Sequence, residues 1–314
     1  MTRAFLFPGQ GAQTIGMGKA LAEAYPAAQA VFDTVDEALG QKLSALIWDG
    51  TQDDLTLTEN AQPALMATSL AAMAALEAEG VTVDAAGVVA GHSLGEYSAL
   101  CAAGALSLGD SARLLRIRGR AMQDAVAVGE GAMAALLGLD LVTATEVAAA
   151  AAEGQVCQAA NDNDPAQVVV SGHRAAVERA VEIAKTRGAK RAMLLPVSAP
   201  FHCALMQPAA DAMAKALGEV TISAPRVPVV MNVSAAAERD PAAIRDRLVE
   251  QVTGAVRWRE SVKWMAANGV TETWEIGAGK ALTGMVRRID RSLTTRVLGT
   301  PDEVRAAAAS LAEG

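Results

Sequence analysis

Apolar runs and helical stripes divide this chain into short strands and longer helices. Residues 4–7 are an apolar run stopped by Pro8, Gly9 and Gly11, which predicts a strand opening into a tight loop. Residues 19–39 and 62–79 read as helices, the first divided at Tyr25-Pro26 because proline offers no amide hydrogen to the helix ladder. Val88, Val89 and Ala90 form a second apolar run, followed by a glycine-bracketed turn and a helical segment over 96–103. Residues 107–123 read as a helix capped by Ser107 or Asp110, and its Arg113, Arg116, Arg118 and Arg120 read as a solvated face.

The pattern then changes to strand (131–139), helix (142–153), strand (155–161), turn (161–165), strand (167–171), helix (173–187) and strand (190–197). This βαββαβ order is that of a ferredoxin-like split βαβ unit. Its place in mid-chain predicts a small subdomain, residues 128–197, inserted into an α/β domain built from residues 1–127 and 198–314. After it, helices over 204–217, 241–252 and 258–268 accompany strands over 227–233 and 272–276, and the last strand meets Gly277-Ala278-Gly279-Lys280. Strand–glycine turn–helix units predict a mainly parallel sheet covered on both faces. The alanine-rich C-terminal tail alone reads as disordered.

Composition narrows the class. The 314 residues are 52% hydrophobic but only 3% aromatic, so a large core is expected to form from many small contacts. No apolar stretch is long enough to span a bilayer, and the N-terminal residues lack the pattern of a signal peptide. Cys101, Cys157 and Cys203 are odd in number and lack metal-site spacing; they read as reduced thiols of a cytoplasmic protein with no metal centre. A net charge of −8 argues against nucleic-acid binding.

The chemistry concentrates in Gly91-His92-Ser93-Leu94-Gly95. A G-x-S-x-G pentapeptide between a strand and a helix is the context of a nucleophile elbow, in which Ser93 would project above a sheet edge beside free helix N–H groups. A serine hydroxyl needs a base. Of the three histidines, His92 is adjacent to the serine and should point away, and His173 opens a helix. His202 lies in the proline-bracketed loop of residues 196–203, so it is the favoured base by elimination and position. A long stretch follows His202, unlike the order of an ordinary α/β-hydrolase, and no acidic residue announces itself as the orienting third member. By itself, Pro8 to Gly11 is a tight turn, or a phosphate loop lacking its lysine and hydroxyl.

Taken together, Phe7-Pro8-Gly9-Gln10-Gly11-Ala12-Gln13, the elbow through Glu96, the run from Arg118, Ala160 to Asn163, Ser198 to Cys203 and Glu275 to Lys280 resemble the malonyl-CoA:acyl-carrier-protein transacylases of bacterial fatty acid synthesis. The resemblance covers about residues 4–300. It implies an α/β-hydrolase-like large domain with a ferredoxin-like insert. It further implies that Ser93 takes malonyl as an ester, with His202 as base and then acid. The backbone carbonyl of Gln251 would orient His202 in place of a carboxylate, and the N–H groups of Gln10 and Leu94 would form the oxyanion hole. Arg118 would hold the free malonyl carboxylate, with Phe201 and Asn161 also at the substrate. Phe201 stands where many bacterial relatives have serine, and its bulk would crowd a 2-methyl group, worth only about 1–3 kcal/mol of discrimination. Ala12 also replaces a serine common in relatives, a change between small residues.

The implied partners are malonyl-CoA and the phosphopantetheine thiol of acyl carrier protein, with no cofactor, and the chain is expected to act as a monomer. Lys185, Arg187, Lys190 and Arg191, and Arg287, Arg288 and Arg291, are the basic clusters that could meet an acidic carrier. The competing readings are a trans-acting malonyl acyltransferase of a polyketide synthase, a serine thioesterase, and a carrier-binding module with a vestigial serine.

Overall fold

A computed structural model describes residues 2–312. Its strands are β1 (Thr2–Phe7), β2 (Val88–Gly91), β3 (Gly131–Leu137), β4 (Cys157–Asp164), β5 (Gln167–His173), β6 (Arg191–Leu194), β7 (Val229–Met231), β8 (Ala236–Glu238), β9 (Val270–Ile276) and β10 (Thr294–Leu298). Among the described residues they form two sheets, ordered β10-β9-β1-β2-β7-β8 and β4-β5-β3-β6. The first is parallel from β10 to β7, with β8 antiparallel at the edge. The second is antiparallel throughout.

The unbroken apolar run of β1 has a simple cause. Phe5 and Phe7 enter the main core on one sheet face, while Ala4 and Leu6 face a second cluster with Trp258, Val262, Leu282 and Val286. A parallel sheet buried on both faces needs apolar residues at successive positions, not alternate ones. The same parallelism brings the ends of β1, β2 and β7 to one edge. Gln10, Ser93 and Asn232 follow those ends, on the edge where open α/β sheets place their ligands. The antiparallel sheet has its own core, in which Leu136, Val168 and Val170 pack against Val147, Val177 and Ala180 of its two helices.

Four expectations change. Residues 161–165 are not a turn: β4 continues to Asp164, and the turn begins at Pro165. The polar run stays extended because every member of 162–164 has a partner on the larger sheet's side. Asp162 accepts from Arg259, Asp164 from Arg288, and Asn163 Oδ1 lies 2.8 Å from His92 Nε2. The C-terminal tail is the helix Pro301–Ala312, with Val304 and Ala307 in the main core. A capping box starts it: Glu303 Oε2 accepts from the Thr300 N–H at 3.0 Å, and Thr300 Oγ1 accepts from the Glu303 N–H at 3.3 Å. Arg116 is not solvated; it is buried and donates to Asn60 Oδ1 at 2.8 Å, whereas Arg113 and Arg120 are exposed as expected. The helix expected from residue 62 begins at Thr58 and contains Pro63 in its first turns. Short elements at Leu43–Asp49, Gln52–Thr56, β8 and β10 lay below the sequence signal.

Among the described residues, no helix is long and apolar enough to cross a membrane.

Helix Leu108–Asp124 approaches helix Thr58–Ala78 closely at Gly119, where a Cβ would lie 2.6 Å from Glu59 Cα and 2.7 Å from the Thr58 carbonyl oxygen. Backbone cannot yield as a side-chain tip can. Gly119→Ala is therefore expected to lower stability by about 1–3 kcal/mol. Gly218→Ala, at a position with open space around it, should stay within about 0.5 kcal/mol. Paired urea or thermal melts measure both, and equal midpoints would refute the packing argument.

Candidate active site

The elbow is held by contacts that exclude side chains. A Cβ on Gly91 would lie 1.9 Å from the Gly95 carbonyl carbon, and one on Gly95 would lie 2.2 Å from the Phe7 oxygen. A Cβ on Gly9 would lie 2.7 Å from the His92 oxygen, so the loop after β1 rests directly on the turn after β2. Ser93 takes a left-handed backbone, φ 54°, which costs a non-glycine residue free energy. Asn232 offsets that cost from the end of β7. Its Oδ1 accepts from the Ser93 N–H at 2.7 Å, and its Nδ2 donates to the Gly91 oxygen at 2.6 Å.

Ser93 Oγ lies 2.7 Å from His202 Nε2. His202 also has a left-handed backbone, φ 58°, and only 4% of it is exposed. Its Nδ1 faces two carbonyl oxygens, that of Gln251 at 2.9 Å and that of Gly254 at 3.2 Å. Carbonyls only accept, so Nδ1 carries the hydrogen and Nε2 turns a lone pair to the serine. Burial, with the nearby Arg118 charge as a second cause, pushes the His202 pKa down to about 3. The imidazole is thus neutral and able to accept a proton.

Arg118 is 1% exposed. It donates to Gln62 Oε1 at 2.7 Å, to Gln251 Oε1 at 2.8 Å and to Ser93 Oγ at 3.1 Å. Its Nε has no hydrogen-bond partner among the described residues. Burial lowers its pKa, though a guanidinium starts high enough to keep its charge. The Gln251 side chain turns its other end away from the guanidinium: Nε2 donates to the Ser93 oxygen at 2.9 Å and to Glu96 Oε2 at 2.7 Å. Glu96 is fully buried, and its Oε1 accepts from the Asn232 N–H at 2.5 Å. Burial raises its carboxyl pKa, opposed by the Asn232 N–H, the Arg118 charge and the Gln251 amide.

These groups open on a cavity of about 440 Å³ between the two sheets. Gln10, Ser93, Leu94 and Arg118 line it from the larger unit, Met133 and Asn161 from the smaller, and Phe201 and His202 from the returning chain. Among the described residues, the backbone N–H groups of Gln10 and Leu94 make no hydrogen bond. A serine with a neutral base, two unspent N–H donors and a buried cation can form and hold an acyl ester that carries a negative charge.

All eight residues singled out in the sequence therefore meet here: Ser93, His202, Gln251, Gln10, Leu94, Arg118, Phe201 and Asn161. His92 turns away toward Asn163 and Trp258, and His173 Nδ1 accepts from the Val156 N–H, so neither faces the serine. Sequence reasoning missed Gln62, Glu96, Asn232 and the Gln251 side chain. Glu96 and Asn232 stand just past the elbow and just past a strand end, which is the signal they offered; Gln62 offered none. Among the described residues, no three His, Cys, Asp or Glu side chains group as metal ligands would.

Comparison with known proteins agrees with this geometry. Residues 4–302 match the acyl transferase domain family. The chain is 49% identical over 311 residues to the malonyl CoA-acyl carrier protein transacylase of Bacillus subtilis (strain 168), covering 99% of this chain and 97% of that one. The solved acyl-carrier-protein-S-malonyltransferase of Bartonella henselae superposes with a TM-score of 0.97 at 58% identity, over 99% of this chain and 100% of that one. A malonyl-transacylase solved in complex with its type II PKS acyl-carrier protein superposes with a TM-score of 0.96 at 40% identity, over 99% and 100%. The chain is an acyltransferase, and it belongs to the malonyl CoA-acyl carrier protein transacylase family.

Proposed function

We propose that this chain moves a malonyl group from malonyl-CoA to the phosphopantetheine thiol of an acyl carrier protein, through a malonyl ester on Ser93, for fatty acid synthesis. One observation carries the reading: the Ser93 hydroxyl lies 2.7 Å from a neutral imidazole nitrogen and 3.1 Å from a buried guanidinium nitrogen. The first contact suits a nucleophile; the second suits an acyl group with a carboxylate at its far end.

In the first half-reaction His202 Nε2 takes the serine proton as Oγ attacks the thioester carbonyl. The oxyanion forms against the N–H groups of Gln10 and Leu94. The C–S bond breaks, His202 returns the proton to the leaving sulfur, and coenzyme A departs. In the second half the carrier thiol gives His202 its proton, sulfur attacks the ester, and Ser93 leaves with that proton restored. The Gln251 carbonyl holds Nδ1–H throughout, as a carboxylate does in a conventional triad, without adding a negative charge.

Arg118 is the selector in this reading. A guanidinium holds a carboxylate through two parallel hydrogen bonds, and the Nε without a partner is a buried donor waiting for an acceptor. Acetyl cannot satisfy it. Phe201 crowds the space beside the ester, and Asn161 offers a polar group on the facing wall. No cofactor takes part. The same proposal takes the larger sheet and its helices as an α/β-hydrolase-like domain and residues 128–197 as a ferredoxin-like subdomain, supported by the order β4-β5-β3-β6. It takes the protein to be a cytoplasmic monomer. The same chemistry would serve a polyketide carrier.

Brief mixing with equal malonyl-, methylmalonyl- and acetyl-CoA should leave a malonyl adduct on the wild type, read by intact-protein mass and cleared by carrier protein. Ser93→Ala should give no adduct, and Arg118→Ala should lose about 10²-fold in malonyl loading while acetyl changes little. Steady release of free malonate without an adduct would make the chain a hydrolase.

His202 should stay neutral between pH 5 and 8, with its Nδ1 protonated, because its pKa sits near 3. Nitrogen-15 imidazole shifts test this, and a midpoint near the ordinary 6.5 would refute the buried-base assignment.

Of the seven basic residues offered for docking, Lys185, Arg187 and Arg288 are paired with Glu182, Glu146 and Asp164. That leaves Lys190, Arg191, Arg287 and Arg291 as the stronger carrier contacts. Charge reversal at these four should raise KM for the carrier severalfold and leave malonyl loading intact; unchanged carrier kinetics would remove the patch from the proposal.

A further inference from the structure

We propose that Glu96 is a positioning residue that holds the nucleophile and the selecting arginine in register through two separate arms. The proposal deepens the malonyl-transfer reading and rests on it for substrate choice.

Glu96 uses both of its carboxylate oxygens. Oε1 accepts from the Asn232 backbone N–H at 2.5 Å, and the Asn232 side chain clamps the elbow on both sides of His92, at the Ser93 N–H and the Gly91 oxygen. Oε2 accepts from Gln251 Nε2 at 2.7 Å. That bond, with the one from the same Nε2 to the Ser93 backbone oxygen at 2.9 Å, decides which way the amide lies, and the opposite atom, Oε1, is left to accept from Arg118 at 2.8 Å. Gln251 is also the residue whose carbonyl holds His202 Nδ1. One arm therefore runs through Asn232 to the elbow backbone, and the other runs through Gln251 to the Ser93 oxygen, Arg118 and the base.

Both arms require an acceptor. Each Glu96 oxygen meets an N–H, so a proton on either would turn a donor toward a donor and break that bond. The carboxylate also lies fully buried, where water cannot replace a lost partner. Glu96 itself does not touch the cavity, since it is not among the residues that line it. It acts through Asn232 and Gln251 alone.

Glu96→Gln is the informative substitution, because it keeps the shape and removes one acceptor. The new amide can face its oxygen to Asn232, and then its NH₂ opposes the Gln251 NH₂ and drives that amide to flip against Arg118. Alternatively it can face its oxygen to Gln251, and then its NH₂ opposes the Asn232 N–H and loosens the elbow. One arm must fail.

Two readouts follow the effect on the full-length protein, the first sensitive to both arms and the second to the Gln251 arm alone. A neutral fluorophosphonate reports the Ser93–His202 geometry without needing Arg118, and the ratio of malonyl to acetyl loading reports Arg118. In Glu96→Gln, at least one of the two should fall by about 10–100-fold, the range for losing a hydrogen bond to a buried charged acceptor. A wild-type melting profile for this variant, with either loss, establishes positioning. Wild-type labelling together with a wild-type loading ratio overturns it. Should Glu96→Gln fail to fold, Glu96→Asp takes its place with the same two readouts and outcomes, since it keeps the charge but withdraws it from both arms. If the wild type loads no malonyl, the transfer reading fails by itself, while fluorophosphonate labelling of wild type and Glu96→Asp still decides whether Glu96 holds the elbow.

Discussion

A full positive charge lies almost wholly buried on the wall of the cavity, and the rest of the site is arranged around that fact. Arg118 is 1% exposed, and a buried ion that loses its hydrogen-bond partners is strongly unfavourable. The fold answers with neutral acceptors, two glutamine oxygens and the serine hydroxyl, and leaves the one nearby carboxylate a side chain away behind Gln251. A direct salt bridge would bury a second charge at its own desolvation cost and would neutralise the guanidinium that a ligand could otherwise pair with. Neutral partners hold the guanidinium in place yet leave its charge available. This is how a site can be stable when empty and still prefer an anion.

The placement of that charge depends on backbone fit. Gln62 and Arg118 lie 56 residues apart in sequence and meet because two helices touch at Gly119 with no side chain between them. The serine reaches the guanidinium because Gly91 and Gly95 let the turn after β2 fold tightly under the loop after β1. Three parallel strands then deliver Gln10, Ser93 and Asn232 to one edge. Packing, turn strain and chemistry are thus one constraint seen at three scales. Loosening the helix contact would move Arg118, and loosening the elbow would move Ser93, the proposed selector and nucleophile.

Much of this was legible in the sequence. The strand, glycine turn and helix around Ser93 are a local pattern with a steric cause, and the βαββαβ order of the small unit follows from its changes of period. His202 emerged by elimination, since only three histidines exist. The failures share a different cause: long-range partnership. Asn161 to Asp164 have turn composition, and β5, the Val256 backbone and the side chains of Arg259, Arg288 and His92, the last four far away in sequence, hold them extended. Arg116 looked solvated because its partner Asn60 sits on another helix. The C-terminal helix is the exception, because Thr300 and Glu303 announced a capping box locally and the alanines after it obscured the signal. Glu96 was visible as a letter in the motif. Its role was not, because both of its partners come from the distant segment that ends the sheet and the helix beyond it.

The remaining question is why such a site should pass its acyl group to a thiol and not to water. The dyad does not discriminate, since a neutral imidazole would deprotonate either. The walls supply the difference. Met122, Met133, Leu195 and Phe201 give the cavity an apolar lining above the serine. A water molecule needs about two to four polar partners to reside in a buried space. In the proposed mechanism the Gln10 and Leu94 N–H groups, Arg118 and His202 are engaged by the oxyanion, the carboxylate and the proton transfer, which leaves fewer polar partners beside the ester for a water. A thiol brings weaker hydrogen-bonding demands and a soft, polarisable sulfur that packs well against methionine and aromatic side chains. In the proposed transfer, preference for a thiol over water rests on the same burial that leaves Arg118 for a carboxylate, and a wall made more polar would weaken both together.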